Sequence, residues 1–504
     1  MNSQNRIIVN TIAQHIRNVF NICLSLYSTR LVLQALGHSD FGIYSLVAGV
    51  VAMLSFLTNA MVVTTQRHLS FIHGTGNMES AKRMFANSLF MHIVIGLCMA
   101  ILLSAIAPLL FNGFLVIEET RKDTAYVVYF LMIFSLLVTF CTAPFRALFI
   151  ARENIVYLSI VDILDAVIKL LAAIWLLGCS FDRLVAYACI IVGIMLFNFI
   201  ALFVWARIHF EECVFFPRKK DLSKQSLKEI TNFAGWTVYS QVCVMGRTQG
   251  MAILLNRFFG TTINAAYGIA QQVFGAIYFV AASVGNAVSP QLIAAEGKGD
   301  RKKMLRFAEL LSKYAFLLLA VVTIPVLWEM PVILSLWLGD VPAYAVLMCR
   351  MVLLAALTDQ LTTGLSTANQ ATGKVKHYSL LINTQKVLTL PLAWIWLKLG
   401  GRVEGVMWCY FAVEFFCSLS RVPFMKYSVG LSIREYSVHV FARVAAPLVS
   451  SVTVCGLVVF LIDIPFRFLL TGFLSLVAFM VTLWFWGMDA DERSMVLGIL
   501  RVNK

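Results

Sequence analysis

The sequence predicts an all-α, polytopic membrane protein of about fourteen transmembrane helices: two parallel six-helix lobes around a central cavity, plus a C-terminal helix pair. Three observations carry this. The 504 residues are 60% hydrophobic and only 13% charged, and runs of about 20 apolar residues recur throughout, so lipid is the solvent for most of the chain. An offset of 223 residues carries Leu31 onto Leu254, Gly37 onto Gly260, Tyr44 onto Tyr267, Phe56 onto Phe279, Gly76 onto Gly299 and Arg83 onto Arg306 without a gap. Each copy reads as an apolar helix, a Gly-marked turn, a second apolar helix, then a G-x-G turn followed by charge. The third observation is an alternation of loop charge. A duplicated membrane unit of this kind points to a transporter more than to an enzyme.

In the first half the helices are expected near 6–34, 40–66, 84–112, 123–149, 154–178 and 183–206. The second set is expected near 229–256, 263–290, 304–330, 342–369, 376–397 and 403–427, and the last pair near 438–461 and 466–487. The domains follow: an N-lobe over 1–206, a basic cytoplasmic linker over 207–228, a C-lobe over 229–427, and the helix pair with its tail over 428–504. Pro108, Pro144, Pro325, Pro391 and Pro447 fall inside spans and favour bends that neighbouring helices compensate. A weaker echo at an offset of 220 residues carries Ala151 onto Ala371 and Ser159 onto Ser379. Six helices precede the second copy, so both copies insert the same way up.

Loops after even-numbered helices are basic: Arg67, Lys82 and Arg83; Arg146 and Arg152; Arg218, Lys219, Lys220, Lys224 and Lys228. Lys298, Arg301, Lys302, Lys303 and Arg306, then Lys374 and Lys376, then Arg421, Lys426 and Arg434 continue the series. Loops after odd-numbered helices hold few cations, partly balanced as in Glu118, Glu119, Arg121, Lys122 and Asp123. The positive-inside rule then puts the even loops and both termini in the cytoplasm. The net charge of +14 is thereby assigned to orientation, not to nucleic acid. The Phe-Phe-Pro-Arg-Lys-Lys run in the linker is expected on the anionic inner surface, against membrane lipids. Eleven cysteines show no C-x-x-C pairing and read as small apolar residues, not disulfides or zinc ligands. Neither a metal nor a cofactor is expected.

A charge at mid-bilayer costs about 2.5–3.5 kcal/mol and needs a partner or a wet cavity. The first helix places Asn10, Gln14, Arg17, Asn21, Ser25 and Ser28 on one face. The seventh carries Asn232, Trp236, Tyr239, Cys243 and Arg247 on one stripe, and the eighth Asn264, Tyr267, Gln271 and Tyr278. Such stripes suit a cavity wall and equally suit helix–helix packing. Arg17 and Arg247 favour function, because neither helix supplies a carboxylate of its own. The expected substrate-binding set is Arg17, Arg247, Gln14, Asn21, Tyr239 and Gln271. Asp162, Asp165 and Lys169 share a face of the fifth helix, as a self-neutralising cluster or a coupling-ion site. Asp359, Lys386 and Glu414 lie on neighbouring helices, as a buried ion pair or around a protonatable carboxylate. Asp162, Asp165, Asp359 and Glu414 are thus the ion-coupling candidates. Intramembrane cations outnumber acids, which suits an anionic ligand.

The chain resembles the polysaccharide repeat-unit flippases of O-antigen and capsule assembly, within the multidrug/oligosaccharidyl-lipid/polysaccharide (MOP) exporter superfamily. The likeness rests on Tyr27-Ser-Thr-Arg-Leu-Val-Leu-Gln-Ala-Leu-Gly37 with Asp40-Phe-Gly-Ile-Tyr44, and on Pro144-Phe-Arg-Ala-Leu-Phe-Ile-Ala-Arg-Glu153. Phe233-Ala-Gly-Trp236 and Ala371-Thr-Gly-Lys374 running on to Pro391 complete it, so that it covers essentially the whole chain. The resemblance implies alternating access and transfer of an undecaprenyl-pyrophosphate-linked oligosaccharide from the inner to the outer leaflet of a bacterial cytoplasmic membrane. Polysaccharide assembly enzymes are possible partners under it. A lipid II-type flippase and a MATE-like drug/cation antiporter are the alternatives. The antiporters usually place an acid in the first helix, where this chain has Arg17. A membrane polymerase or glycosyltransferase is more distant, since the loops are short, no D-x-D occurs and the eight histidines are scattered. No G-x-x-x-x-G-K-[ST] run exists for nucleotide hydrolysis.

Overall fold

A computed structural model describes residues 3–52, 54–111, 119–213, 223–338, 341–464, 466–490 and 492–494. The basic Phe-Phe-Pro-Arg-Lys-Lys run lies outside them. Among the described residues the regular structure is helical throughout. Contacts divide the chain into two compact units, Arg6–Val238 and, chiefly, Tyr239–Lys504.

The first unit holds α1 (Ser3–Ala52), α2 (Ser55–Thr75), α3 (Met78–Leu109), α4 (Lys122–Ala151), α5 (Ile155–Leu177) and α6 (Arg183–His209). Its last residues belong to the start of α7 (Lys224–Phe259), which continues into the second unit. Two apolar cores fill it. Near one end Val128, Tyr129, Met132 and Phe140 of α4 meet Leu103 and Ala107 of α3, and the Tyr129 hydroxyl donates to the Leu103 carbonyl at 2.9 Å. Near the other, Phe145, Leu148 and Phe149 pack on Phe85, Leu69 and Leu202.

The second unit continues with α8 (Thr261–Gly297), α9 (Arg301–Leu338), α10 (Ala345–Gln360), α11 (Thr363–Thr372), α12 (Val375–Tyr378), α13 (Thr384–Val387), α14 (Thr389–Lys398) and α15 (Val403–Val429). It closes with α16 (Ile433–Tyr436), α17 (Ala442–Leu461) and α18 (Arg467–Thr482). π-helical turns at Ser379–Asn383, Ser437–Phe441 and Leu483–Gly487 adjoin α13, α17 and α18. Among the described residues ten helices are long and apolar enough to cross a membrane, and the pair α10–α11, bent by 47°, brings this to eleven. Helix α5 has the length of a span, at 23 residues, but carries Asp162, Asp165 and Lys169. Large apolar side chains such as Leu171, Trp175, Phe460 and Phe473 stay exposed, which only a lipid solvent makes tolerable.

The repeat is visible in the backbone. Gly37 breaks α1 at φ 75°, ψ 174°, and its counterpart Gly260 precedes α8 at φ 81°, ψ −170°. That region is open essentially to glycine alone. The pair one hairpin later, Gly76 and Gly299, again match at φ 73° and 75°. The loops also sort by face. Arg121 ion-pairs with Asp40 and, at 2.6 Å, with Asp182, joining the loops after the first, third and fifth expected helices. Glu212 instead receives Arg152 at 2.5 and 2.6 Å and lies 2.9 Å from His73, joining those after the second, fourth and sixth.

Candidate functional site

Each unit carries a charge cluster inside its helices. In the first unit the organiser is Asp162 of α5. Arg17 Nη1 of α1 reaches its Oδ2 at 3.0 Å, and Arg146 Nη2 of α4 reaches its Oδ1 at 2.5 Å. Arg17 also bonds Asn18 Oδ1 through Nε and Nη2, at 3.3 and 3.0 Å, which fixes the plane of its guanidinium. Two cations thus share one carboxylate. One turn on, Asp165 is neutralised separately by Lys169 at 2.7 Å, with Asn198 of α6 donating at 2.7 Å.

The polar stripe of α1 runs along this same wall. Asn10 donates to the Glu153 carbonyl at 2.9 Å, Arg17 meets Asp162, and Ser28 lies 3.4 Å from the Lys169 carbonyl. Gln14 is buried on the stripe, and Asn21 Oδ1 is buried without a hydrogen-bond partner.

In the second unit five charged side chains from α7, α10, α13 and α15 form one network. Arg247 donates through Nη1 to Glu414 Oε2, and its guanidinium lies over the Tyr410 ring, 4.6 Å from the centroid. Lys386 Nζ bridges Glu414 Oε1 at 2.9 Å and Asp359 Oδ1 at 3.3 Å. Arg421 closes the chain on Asp359 at 2.6 Å and on Thr362 Oγ1 at 3.2 Å. Four of the five side chains are less than 10% exposed, and Asp359 is 21% exposed. Three cations therefore face two carboxylates. Beside the network, Tyr239 bonds Thr384 at 2.7 Å and Ser240 bonds Ser379 and Asn383 at 2.9 and 2.7 Å, across the π-helical turn that leads into Lys386. Gln271 is half-buried on α8, one turn beyond Tyr267.

The structure thus brings Arg17 together with Asp162, and Arg247 with Glu414, Lys386 and Asp359, pairings that span up to 167 residues. The carboxylates that pair with the two arginines come from other helices, α5 and α15. Arg146 and Arg421, assigned to basic loops from sequence, instead lie within α4 and α15 and complete the two clusters. A signal existed for Arg421: seven residues after Glu414, it shares that face of the helix. Arg146 follows Pro144 too close to the helix end for spacing to place it. Among the described residues no group of His, Cys, Asp and Glu is placed to hold a metal.

Comparison with known proteins adds the lineage. The profile of the family described as "Polysaccharide biosynthesis protein" matches residues 4–294. The uncharacterised membrane protein EpsK of Bacillus subtilis (strain 168) is 23% identical over 328 residues, 64% of this chain. The match spans 63% of that relative, less than two thirds of its length. Among solved structures, a MATE transporter in a bent conformation superposes with a TM-score of 0.75 at 14% identity, over 87% of this chain and 98% of that one. A MOP-superfamily transporter from Pyrococcus furiosus, whose binding pocket is described as reversed in polarity, gives 0.72 at 14% identity over 85% and 96%. At such identity these two likenesses establish the fold alone.

Proposed function

The chain belongs to the polysaccharide biosynthesis protein family and has the multi-pass MOP transporter fold, and from that premise we propose that it flips an undecaprenyl-pyrophosphate-linked oligosaccharide across a bacterial cytoplasmic membrane. Family and fold point to a transporter rather than to an enzyme. In this reading the glycan is loaded at the cytoplasmic leaflet, released at the outer one by alternating access, and passed to surface-polysaccharide assembly.

One observation carries the anionic substrate: in each charge cluster cations outnumber carboxylates by one, as Arg17 and Arg146 against Asp162, and Arg247, Lys386 and Arg421 against Asp359 and Glu414. A pyrophosphate leaving water must exchange its hydration for protein donors. Guanidinium stays charged and offers a planar fork to phosphate oxygens. A cationic drug would gain nothing from either cluster, which sets the antiporter reading second. In the proposed cycle Arg17 and Arg247 turn part of their hydrogen bonding from carboxylate to pyrophosphate. Asp162, Asp165, Asp359 and Glu414 are the candidates for ion coupling.

The test is export of the lipid-linked glycan in cells carrying Arg17→Ala or Arg247→Ala, with membrane insertion checked separately. Loss of export with normal insertion is expected for both, and Lys at either position should rescue only partly. Native-rate export by both Ala variants would overturn the anionic-substrate reading.

A further inference from the structure

A cavity of about 830 Å³ opens where α14 ends and α15 begins, far in sequence from Arg247 and lined by Trp396, Gly401, Arg402, Glu404 and Trp408 among others. The Trp396 indole is fixed on one side. Its Nε1 donates to the Arg402 carbonyl at 3.0 Å, and its ring lies flush on the backbone of Gly401 and Gly405. A Cβ added at either glycine would fall 2.2 or 2.1 Å from the indole, so the run Gly400-Gly-Arg-Val-Glu-Gly405 is a cradle for this ring. The remaining indole surface is open, with Trp396 42% and Trp408 58% exposed. Glu404, in the first turn of α15, holds Oε2 buried with no hydrogen-bond partner.

We propose that this cavity binds a pyranose ring, the glycan portion of the transported molecule at the face of the odd loops. The chemistry of the lining selects it. Indoles that merely anchor the chain at a membrane interface need no glycine cradle and no carboxylate beside them. An acyl chain would cover the half-exposed Glu404 carboxylate without offering it a donor, at the cost of an unmade hydrogen bond. An anion would meet that carboxylate, and a cation would meet Arg402. A sugar ring presents an apolar C–H face to a rigid indole and hydroxyl groups that donate to the carboxylate and accept from the guanidinium. The volume lies within the range of small-molecule pockets. The glycan's source rests on the transport reading above; the pyranose chemistry does not.

Saturation-transfer NMR on the full chain in lipid nanodiscs, with chitobiose, lactose and maltose as probes, tests this. Transfer to at least one disaccharide is expected, with affinity lowered about tenfold or more by Trp396→Ala and by Glu404→Gln. Trp394→Ala, on the same helix but outside the lining, should leave it unchanged. If Trp396→Ala does not insert, Gly405→Ala displaces the indole and should have the same effect. No transfer from any of the three sugars, or transfer indifferent to the cavity variants, would overturn the proposal. So would competition by phosphatidylethanolamine, which would make this a headgroup site. Binding is read without transport: sugar binding retained alongside unimpaired export by the arginine variants would sink only the transport mechanism, and the converse only this site.

Discussion

The Arg247 guanidinium and the Glu414 carboxylate are both almost fully buried, so the alanine test at Arg247 mixes two effects. Removing one member of a buried pair costs about 3–5 kcal/mol because the other is left uncompensated. Here Lys386 still faces Glu414 and softens that loss. The double variant Arg247→Met, Glu414→Met should therefore recover the stability lost by Arg247→Met alone while remaining dead for export. Thermal unfolding in detergent beside an export assay separates the two. Outside the spans, Glu212 is a simpler residue-scale case. Burial alone would raise its carboxyl, but the hydrogen bonds from His73 and Arg152 overcome this and hold it at about 2, below its ordinary value of 4.5. A depressed carboxylate stabilises the fold above its unfolded value, and that stability drains away as pH falls from about 4.5 toward 2. Glu212→Gln should be less stable at neutral pH and should lose this acid-dependent decline. A melting-temperature series from pH 7 to pH 3 should show a shallower slope in the variant. A parallel slope would place the acid sensitivity elsewhere.

At the scale of the element, two devices accommodate irregular backbone. The first is the glycine pair Gly37 and Gly260, whose shared backbone region any Cβ strains by about 1–3 kcal/mol. Gly37→Ala and Gly260→Ala should each lower the unfolding midpoint, whereas Gly268→Ala, in helical backbone with open space around it, should not. Equal effects at all three would mean that loss of glycine as such, not its conformation, is what matters. The second device is on α9. Pro331 has no N–H to give to the carbonyl of Leu327, four residues back, and Arg350 Nε of α10 donates there instead at 2.8 Å. Arg350→Ala should cost about 1–3 kcal/mol by leaving that carbonyl unmet. Adding Pro331→Ala supplies the helical N–H that proline lacks, so the cost of losing Arg350 should shrink in that background. A double-mutant cycle on unfolding reads the coupling, and additivity would refute the assignment.

For the whole molecule, the two sorted loop clusters of the first unit, Arg121 with Asp40 and Asp182 against Glu212 with Arg152 and His73, follow the alternation of loop charge. On the second unit Lys313 of α9 is buried on Glu492 at 2.6 Å, which docks the described residues just after α18 on the half of α9 nearer its basic end, and His439, just before α17, lies 2.9 Å from Glu309 of the same helix. Glu492 thus sits toward the end of α9 that follows a basic, even-numbered loop. A reporter active only in the cytoplasm, fused after Lys504, should be active, and the same reporter inserted after Gly400 should be silent. The reverse pattern would invert the orientation, and activity at both would refute the assignment of the two positions to opposite faces.

Apolar runs, a 223-residue offset and turn glycines are local signals, so the all-helical membrane class, the duplication and its Gly37 and Gly260 breaks were legible in the chain alone. The alternation of basic loops was equally plain, because insertion reads charge near helix ends and not contacts. Candidate charges could likewise be named, since a lone arginine among apolar residues has few bland explanations. Their partners could not. Arg17 finds Asp162 across 145 residues and Arg247 finds Glu414 across 167, and helical spacing carries no information about which helix packs against which. Arg146 and Arg421 were read as loop cations for the same reason: only the packed bundle decides whether a cation near a helix end snorkels to water or turns inward to a carboxylate. The Trp396 cradle was likewise invisible, because glycines and tryptophans at a turn acquire meaning only when the backbone folds one against the other.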